Sequence, residues 1–255
     1  MNNDTATQVK VLLHECVDNA IHRISNNLVN RPFHEALLSS DAILYSSLER
    51  SFSTSFGQGP IERISDLIIG ETTEEHEKQK ALYVNIYKGA QDQINLWLQG
   101  YRDHTIQPNW TREKKVLESF NKGDTISVRV ISDLWFKRNG QEHFLSLKTV
   151  KPNLDQTEKA KSDMLHLLAE NPRYKPFFCL YYNPYGEDRS SYKWTIPNGI
   201  FNMQSDTCVL IGKEYWDFLG GVGTYEQLLD ICLEVGNVTR PTVEHLAIKR
   251  SISDF

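Results

Sequence analysis

ISDLWFKRNGQEHFLSLKTVKPN, from Ile131 to Asn153, is the stretch on which the reading of this chain turns. Asn139-Gly140 at its centre is the dipeptide favoured by a two-residue type I′ turn, where both residues need positive φ. β-Branched and aromatic runs flank it, TISVRVISDLWF (125–136) and HFLSLKTV (143–150), so the segment predicts an antiparallel hairpin. With Asn139 and Gly140 as the loop, Arg138 faces Gln141, Lys137 faces Glu142, Trp135 faces Phe144 and Asp133 faces Ser146. Side chains alternate along a strand, which puts Asp133, Ser146 and Lys148 on one face. Lys148 lies diagonal to Asp133, about 7–8 Å away, a gap that long side chains close. The other face carries Leu134, Phe136, Leu145 and Leu147, an expected core.

The polar trio interrupts a partly apolar face, because Ile131, Trp135 and Phe144 flank it. An ion pair and a serine on a solvated sheet face would give this pattern. A site that needs a carboxylate beside an ammonium gives it too.

Outward from the hairpin, the first third of the chain has helical periodicity. Val9, Leu12, Leu13, Cys16, Ala20, Ile21, Ile24 and Leu28 predict an amphipathic helix from about Thr5 to Val29. A second opens at Pro32 and runs through Leu48, and SFSTSFGQG (51–59) interrupts the pattern. PIERISDLII (60–69) predicts a short helix ending near Gly70. One long helix is expected from TTEEHEKQK (72–80) to INLWLQG (94–100), with Thr72–Glu75 as a capping box and Gly100 as its stop. After the hairpin, LDQTEKAKSDMLHLLAE (154–170) reads as a helix with Asp155 and Glu158 as its capping pattern. PFFCLYYN (176–183) and TCVLIG (207–212) read as buried strands, and TYEQLLDICLEV (224–235) and PTVEHLAIK (241–249) as two short C-terminal helices. The expectation is a single α/β domain over 1–255, with 1–105 a mainly helical flank and 106–255 the α/β core.

Composition narrows the classes. Hydrophobic content of 40% and charged content of 24% are those of an ordinary globular chain. No apolar run is long enough to span a bilayer and the N-terminus has no secretory h-region, so a cytoplasmic protein without a membrane partner is expected. Cys16, Cys179, Cys208 and Cys232 are widely spaced in apolar contexts, which predicts buried thiols rather than a metal site. A net charge of −5 does not advertise a nucleic-acid binder, but a local patch decides that, and Lys137–Lys161 holds six basic residues against three acidic ones. The chain has no G-x-S-x-G elbow, P-loop or H-E-x-x-H.

An aspartate followed on the next strand by x-x-Lys resembles the active-site layout of the PD-(D/E)xK nuclease superfamily. SDLWFKRNGQEHFLSLKTVKPN is similar in particular to the TdeIII-type type II restriction endonucleases, as are SLERSFSTSFGQGPIERIS (47–65), FFCLYYNPYGE (177–187) and VLIGKEYWDFLGG (209–221). The resemblance implies a mixed central sheet with flanking helices, preceded by a helical N-terminal region. It implies Mg²⁺-dependent hydrolysis of duplex DNA, with Asp133 as metal ligand and Lys148 as catalytic lysine. Ser146 departs from the pattern, which has Asp or Glu there. A serine cannot supply the second charge, so either the acid comes from elsewhere or the site is impaired.

Glu62 is the first candidate for that acid and a second metal ligand, since it opens a helix after two glycines that allow close backbone approach. A first-turn glutamate also complements a helix dipole without further role. Glu49 is a second candidate, Glu158 a third, and Glu74, Glu75 and Glu77 read as an exposed helix start. YYNPYGEDRSSYKW (181–194) is polar and aromatic after a buried strand, where loops carry recognition. Arg189 and Lys193 suit guanine, Asn183 suits adenine, and Lys151 is a further DNA-binding candidate. A palindromic target, of GGNCC type by resemblance, implies a homodimer. A structure-specific repair nuclease or junction resolvase, a non-cleaving DNA-binding module with a degenerate site, and a protein-interaction module remain as alternatives.

Overall fold

The computed structural model describes residues 1–26, 30–57 and 59–253. These form two compact units, Met1–Leu67 with Gly223–Phe255, and Ile68–Val222.

The first unit is helical: α1 (Asn3–Asn26), α2 (Pro32–Leu37), α3 (Ser40–Phe56), the start of α4 (Pro60–Gly70) and, at the C-terminal end, α10 (Thr224–Ser253). The apolar stripe of α1 is buried through Val9, Leu12, Leu13, Cys16 and Ala20 as its period requires. The expected end of this helix at Val29 lies outside the described residues. The second helix is broken at Leu38, and α3 continues through most of SFSTSFGQG, where an interruption was expected. The two short C-terminal helices are one, with Pro241 inside it.

The second unit holds β1 (Glu75–Tyr87), α5 (Lys88–Arg102), α6 (Trp110–Leu117), β2 (Thr125–Arg138), β3 (Gln141–Lys148), α7 (Leu154–Glu170), β4 (Lys175–Leu180), the single turn α8 (Thr195–Asn198), β5 (Val209–Ile211) and α9 (Lys213–Gly220). The strands form one mixed sheet in the order β1-β2-β3-β4-β5. The β1–β2 and β2–β3 pairs are antiparallel, and β3–β4 and β4–β5 parallel. This is the α/β architecture with a mixed central sheet, flanking helices and helical N-terminal region that was expected.

One element overturns a local expectation. Residues 75–87 are a strand, not the first half of a long helix. Glu, Lys and Gln favour a helix in isolation, but here they pair with β2 from Glu75↔Lys137 to Tyr87↔Thr125. Leu82, Val84 and Ile86 alternate at the strand period and join the core, which the helical reading passed over. The helix proper starts at Lys88. Gly100 lies inside it and admits Ile106, since a Cβ there would sit 2.4 Å from the Ile106 Cδ1.

The core gathers Trp135, Phe144, Phe178 and Leu180 from the sheet with Ala160, Met164, Leu165 and Leu167 from α7. On the other sheet face Leu134, Phe136 and Leu145 are buried as expected. His143 stacks there on Phe136, with ring centres 4.6 Å apart.

Candidate active site

The hairpin turn sets the geometry. Asn139 (φ 54°) and Gly140 (φ 70°) are both left-handed, as a type I′ turn requires. The observed pairs run from Arg138↔Gln141 to Leu134↔Leu145, in the register that the turn dictates. The ladder stops there, one residue short of Asp133 and Ser146, and Ser146 pairs with Phe178 of β4.

Where the ladder stops, the Asp133 side chain takes over. Its Oδ2 accepts the Leu147 backbone N–H at 2.6 Å and the Lys148 ammonium at 2.9 Å. Lys148 also donates to the Leu147 carbonyl at 3.1 Å. Both side chains are mostly buried, at 24% and 19% exposure, so their charges are screened less than on an open surface. Short, charge-assisted bonds of this kind hold both groups in one rotamer.

Across the sheet, Gln79 sits between the pairs Lys78↔Leu134 and Lys80↔Ser132, opposite Asp133. Its φ of 53° is unusual for a residue with a side chain, and its amide approaches the free side of Asp133, Nε2 to Oδ1, at 3.4 Å. The sequence carried no signal for this, because Gln79 was read within a helix. A second residue was missed: Asp163 on α7, almost fully buried. Burial pushes its carboxyl up from the usual range, against the pull of Lys159 and Lys148 and together with the repulsion of Asp133. The signal was available, since Asp163 stands in the apolar stripe of Ala160, Met164 and Leu167.

The remaining sequence candidates are placed as follows. Ser146 is half-buried beside the pair. Glu62 is half-buried in the first turn of α4 and belongs to the first unit, whereas the Asp133–Lys148 pair belongs to the second. Ile61, Ile64, Ile68 and Ile69 are buried, as its helix period predicts. Glu49 accepts the Ser53 hydroxyl at 2.6 Å. Asp155 and Glu158 do not cap α7. Asn153 and Gln156 form that capping box, and Arg102 binds both acids, at 3.1 and 2.8 Å.

In the loop after β4, Asn183 donates to the Asp188 carbonyl and the Ser191 hydroxyl. Arg189 donates to the Met203, Asp206 and Val209 carbonyls. The donors of both side chains therefore engage groups of the chain's own loops. Lys193 is exposed. Lys151 is exposed too, with its ammonium 5.5 Å from the Tyr185 ring centre and 5.7 Å from that of Trp194. Tyr192 and Trp194 pin the 149–153 segment by hydrogen bonds to the Val150 and Pro152 carbonyls, at 2.9 and 3.0 Å. The segment leaving Lys148 is thus tied to the loop after β4.

A mixed sheet whose central hairpin holds an aspartate and a lysine side by side has the architecture of the PD-(D/E)xK-like nucleases. The chain matches the family described as type II restriction endonuclease, HinfI, over residues 1–236, and it belongs to that family. It is 27% identical over 228 residues to the type II restriction enzyme HgiCII of Herpetosiphon aurantiacus, covering 86% of this chain and 82% of the relative. HgiEI of the same organism is 26% identical, with 86% and 82% covered. The type II restriction enzyme MjaII of Methanocaldococcus jannaschii is 25% identical over 244 residues, with 83% and 63% covered. No solved structure matches the chain.

Proposed function

We propose that this chain is a Mg²⁺-dependent type II restriction endonuclease that hydrolyses duplex DNA at a short palindromic site. The observation that carries this reading is the Asp133–Lys148 pair, locked at 2.9 Å on adjacent strands in a chain of this family. The finer likeness to the TdeIII-type enzymes points to a GGNCC-type target.

The residues suit a hard divalent ion. Asp133 offers a carboxylate, Ser146 a hydroxyl and Leu147 a carbonyl, all oxygen donors of the kind Mg²⁺ takes while keeping several waters. Among the described residues no three His, Cys, Asp or Glu gather as a metal site. When bound, Mg²⁺ supplies Lewis acidity and lowers the pKa of a coordinated water. Asp133 also positions the Lys148 ammonium. Lys148 orients the attacking water and stabilises the negative charge that grows on the phosphate as the bond to the leaving oxygen breaks. Glu62 is a candidate for the acid that Ser146 does not supply.

Lys193 is kept as a guanine contact and Lys151 as a further DNA contact, while Asn183 and Arg189 shape the recognition loop from within. A palindromic target is read by a twofold homodimer, each subunit cutting one strand. Among the described residues no helix is long and apolar enough to cross a membrane.

Incubation with plasmid and phage DNA in Mg²⁺ tests the reading. Discrete, reproducible fragments that vanish with a chelator support it. Smears or junction-only cleavage point instead to a repair nuclease or resolvase. Specific retardation of a duplex without cleavage means a binding module, the reading that Ser146 favours. No retardation at low salt leaves the protein-interaction module.

A further inference from the structure

The nuclease reading leaves one requirement open, a second carboxylate to replace the one that position 146 lacks. We infer that Asp163 supplies it, reaching from α7 to the same divalent ion that Asp133 holds. This inference rests on that reading and deepens it.

The placement follows from the helix period. Ala160, Met164 and Leu167 face the sheet, and all three lie in the buried cluster with Trp135 and Phe144. Asp163 is three residues after Ala160 and four before Leu167, so it lies on the same stripe. Trp135 and Phe144 are the strand neighbours of Asp133 and Ser146 by alternation, two residues away on the same side. The helix therefore carries Asp163 over the face on which the Asp133–Lys148 pair sits. Its start is fixed by the Asn153–Gln156 capping box, and the five residues from Lys148 to Asn153 allow little freedom of register.

Its surroundings are those of a metal carboxylate. Asp163 is 8% exposed, and its Oδ1 pairs with Lys159 at 2.6 Å, a lysine whose own side chain is 65% exposed. A buried aspartate tied to one solvated lysine is costly as a mere helix pair, because such pairs stabilise little. Asp133 and Lys148 both act on its charge, in opposite senses, as groups around one site do.

The test uses the full-length protein and Mn²⁺, with the free ion counted by its EPR signal. Asp163→Asn should weaken Mn²⁺ binding by about 10–100-fold, the range over which even the outer partners of metal ligands act. Asp163→Glu should restore part of it. Lys159→Ala should leave Mn²⁺ affinity undiminished, since it removes a competing cation. The Mg²⁺ concentration for half-maximal plasmid cleavage should rise in Asp163→Asn in step with the Mn²⁺ constant. Its melting temperature should be unchanged or higher, because a neutral amide replaces a poorly solvated charge. Wild-type Mn²⁺ affinity in Asp163→Asn, alongside lost affinity in Asp133→Asn, overturns this inference and leaves the nuclease reading intact. If the wild type neither binds Mn²⁺ nor cleaves DNA, both fall together.

Discussion

Lys161 and Glu113 form an ion pair 2.5 Å across in the core of the sheet-containing unit, and neither side chain exposes any surface. The ammonium is walled by aromatic rings, 4.7 Å from the Phe201 centre and 4.9 Å from that of Trp110. On the carboxylate side, Glu113 accepts the Tyr101 hydroxyl at 2.5 Å and the Asn109 backbone N–H at 2.8 Å. Burial and the Glu113 charge together drive the Tyr101 phenol well above its usual range. Glu113→Ala strands the lysine among those rings and should cost about 3–5 kcal/mol in urea unfolding. The double change Glu113→Leu with Lys161→Met should recover most of that loss. Equal destabilisation by single and double variants would contradict a desolvated pair.

The Asp133–Lys148 pair is tested by asymmetry. Lys148→Ala removes a charge beside the scissile phosphate and should slow cleavage by ~10²-fold or more. Asp133→Ala should lose Mg²⁺ binding and cleavage together, and also leaves the Leu147 N–H without its acceptor, so Asp133→Asn is the control for folding. Sequence-specific retardation of duplex DNA should survive the lysine change. If the pair is only structural, Lys148→Ala cleaves at the wild-type rate and its loss shows in stability alone, since removing one partner of a mostly buried pair leaves the other charge uncompensated.

For the helical unit, Glu62→Ala tests the other source of the second carboxylate: loss of most cleavage with a wild-type circular dichroism spectrum would give that role to Glu62 and not to Asp163. Glu49→Ala should cost less, because Glu49 already has a local partner in Ser53. The reverse ranking in a plasmid digest exchanges the two roles. Activity in both variants assigns Glu62 to the helix dipole alone.

Acid should weaken the fold through two histidines. Burial holds His143 and His166 down at about 4, with the Arg138 and Lys175 charges adding to the effect at His143 and that of Lys159 at His166. The unfolded chain protonates these imidazoles near 6.5 while the folded one does not. Stability is therefore complete above about pH 6.5 and falls progressively as pH drops towards about 4. His143→Phe, which keeps the stack on Phe136 and Phe177, should flatten that acid limb in denaturant melts from pH 7.5 to 5. Identical pH slopes for variant and wild type would remove His143 from the account.

The hairpin was legible because its signal is local. Asn139 and Gly140 accept positive φ by their own chemistry, so the register of Trp135 with Phe144 follows from two residues. The same reasoning placed Asp133 and Lys148 on one side, and the ion pair between them agrees. It could not foresee that the ladder ends at Leu134 and that the Asp133 carboxylate replaces a backbone acceptor for Leu147. The loop candidates fared similarly. Asn183 and Arg189 look like recognition residues by type, but whether a donor faces outward or bonds its own loop depends on carbonyls as far away as Val209.

The chain by itself determined the α/β class, the hairpin register, the α1 and α4 stripes and the carboxylate–ammonium pair, because each depends on neighbours within a few residues or across one tight turn. Only the tertiary structure decided that residues 75–87 are a strand. Their charged half prefers a helix until β2, some 50 residues on, offers a ladder from Glu75↔Lys137 onward. The same holds for Asp163, whose place on α7 acquires meaning only when that helix covers the sheet and brings a buried carboxylate towards a pair from other strands. Contacts that close long loops are set by the whole packed core, and no local window of residues contains them.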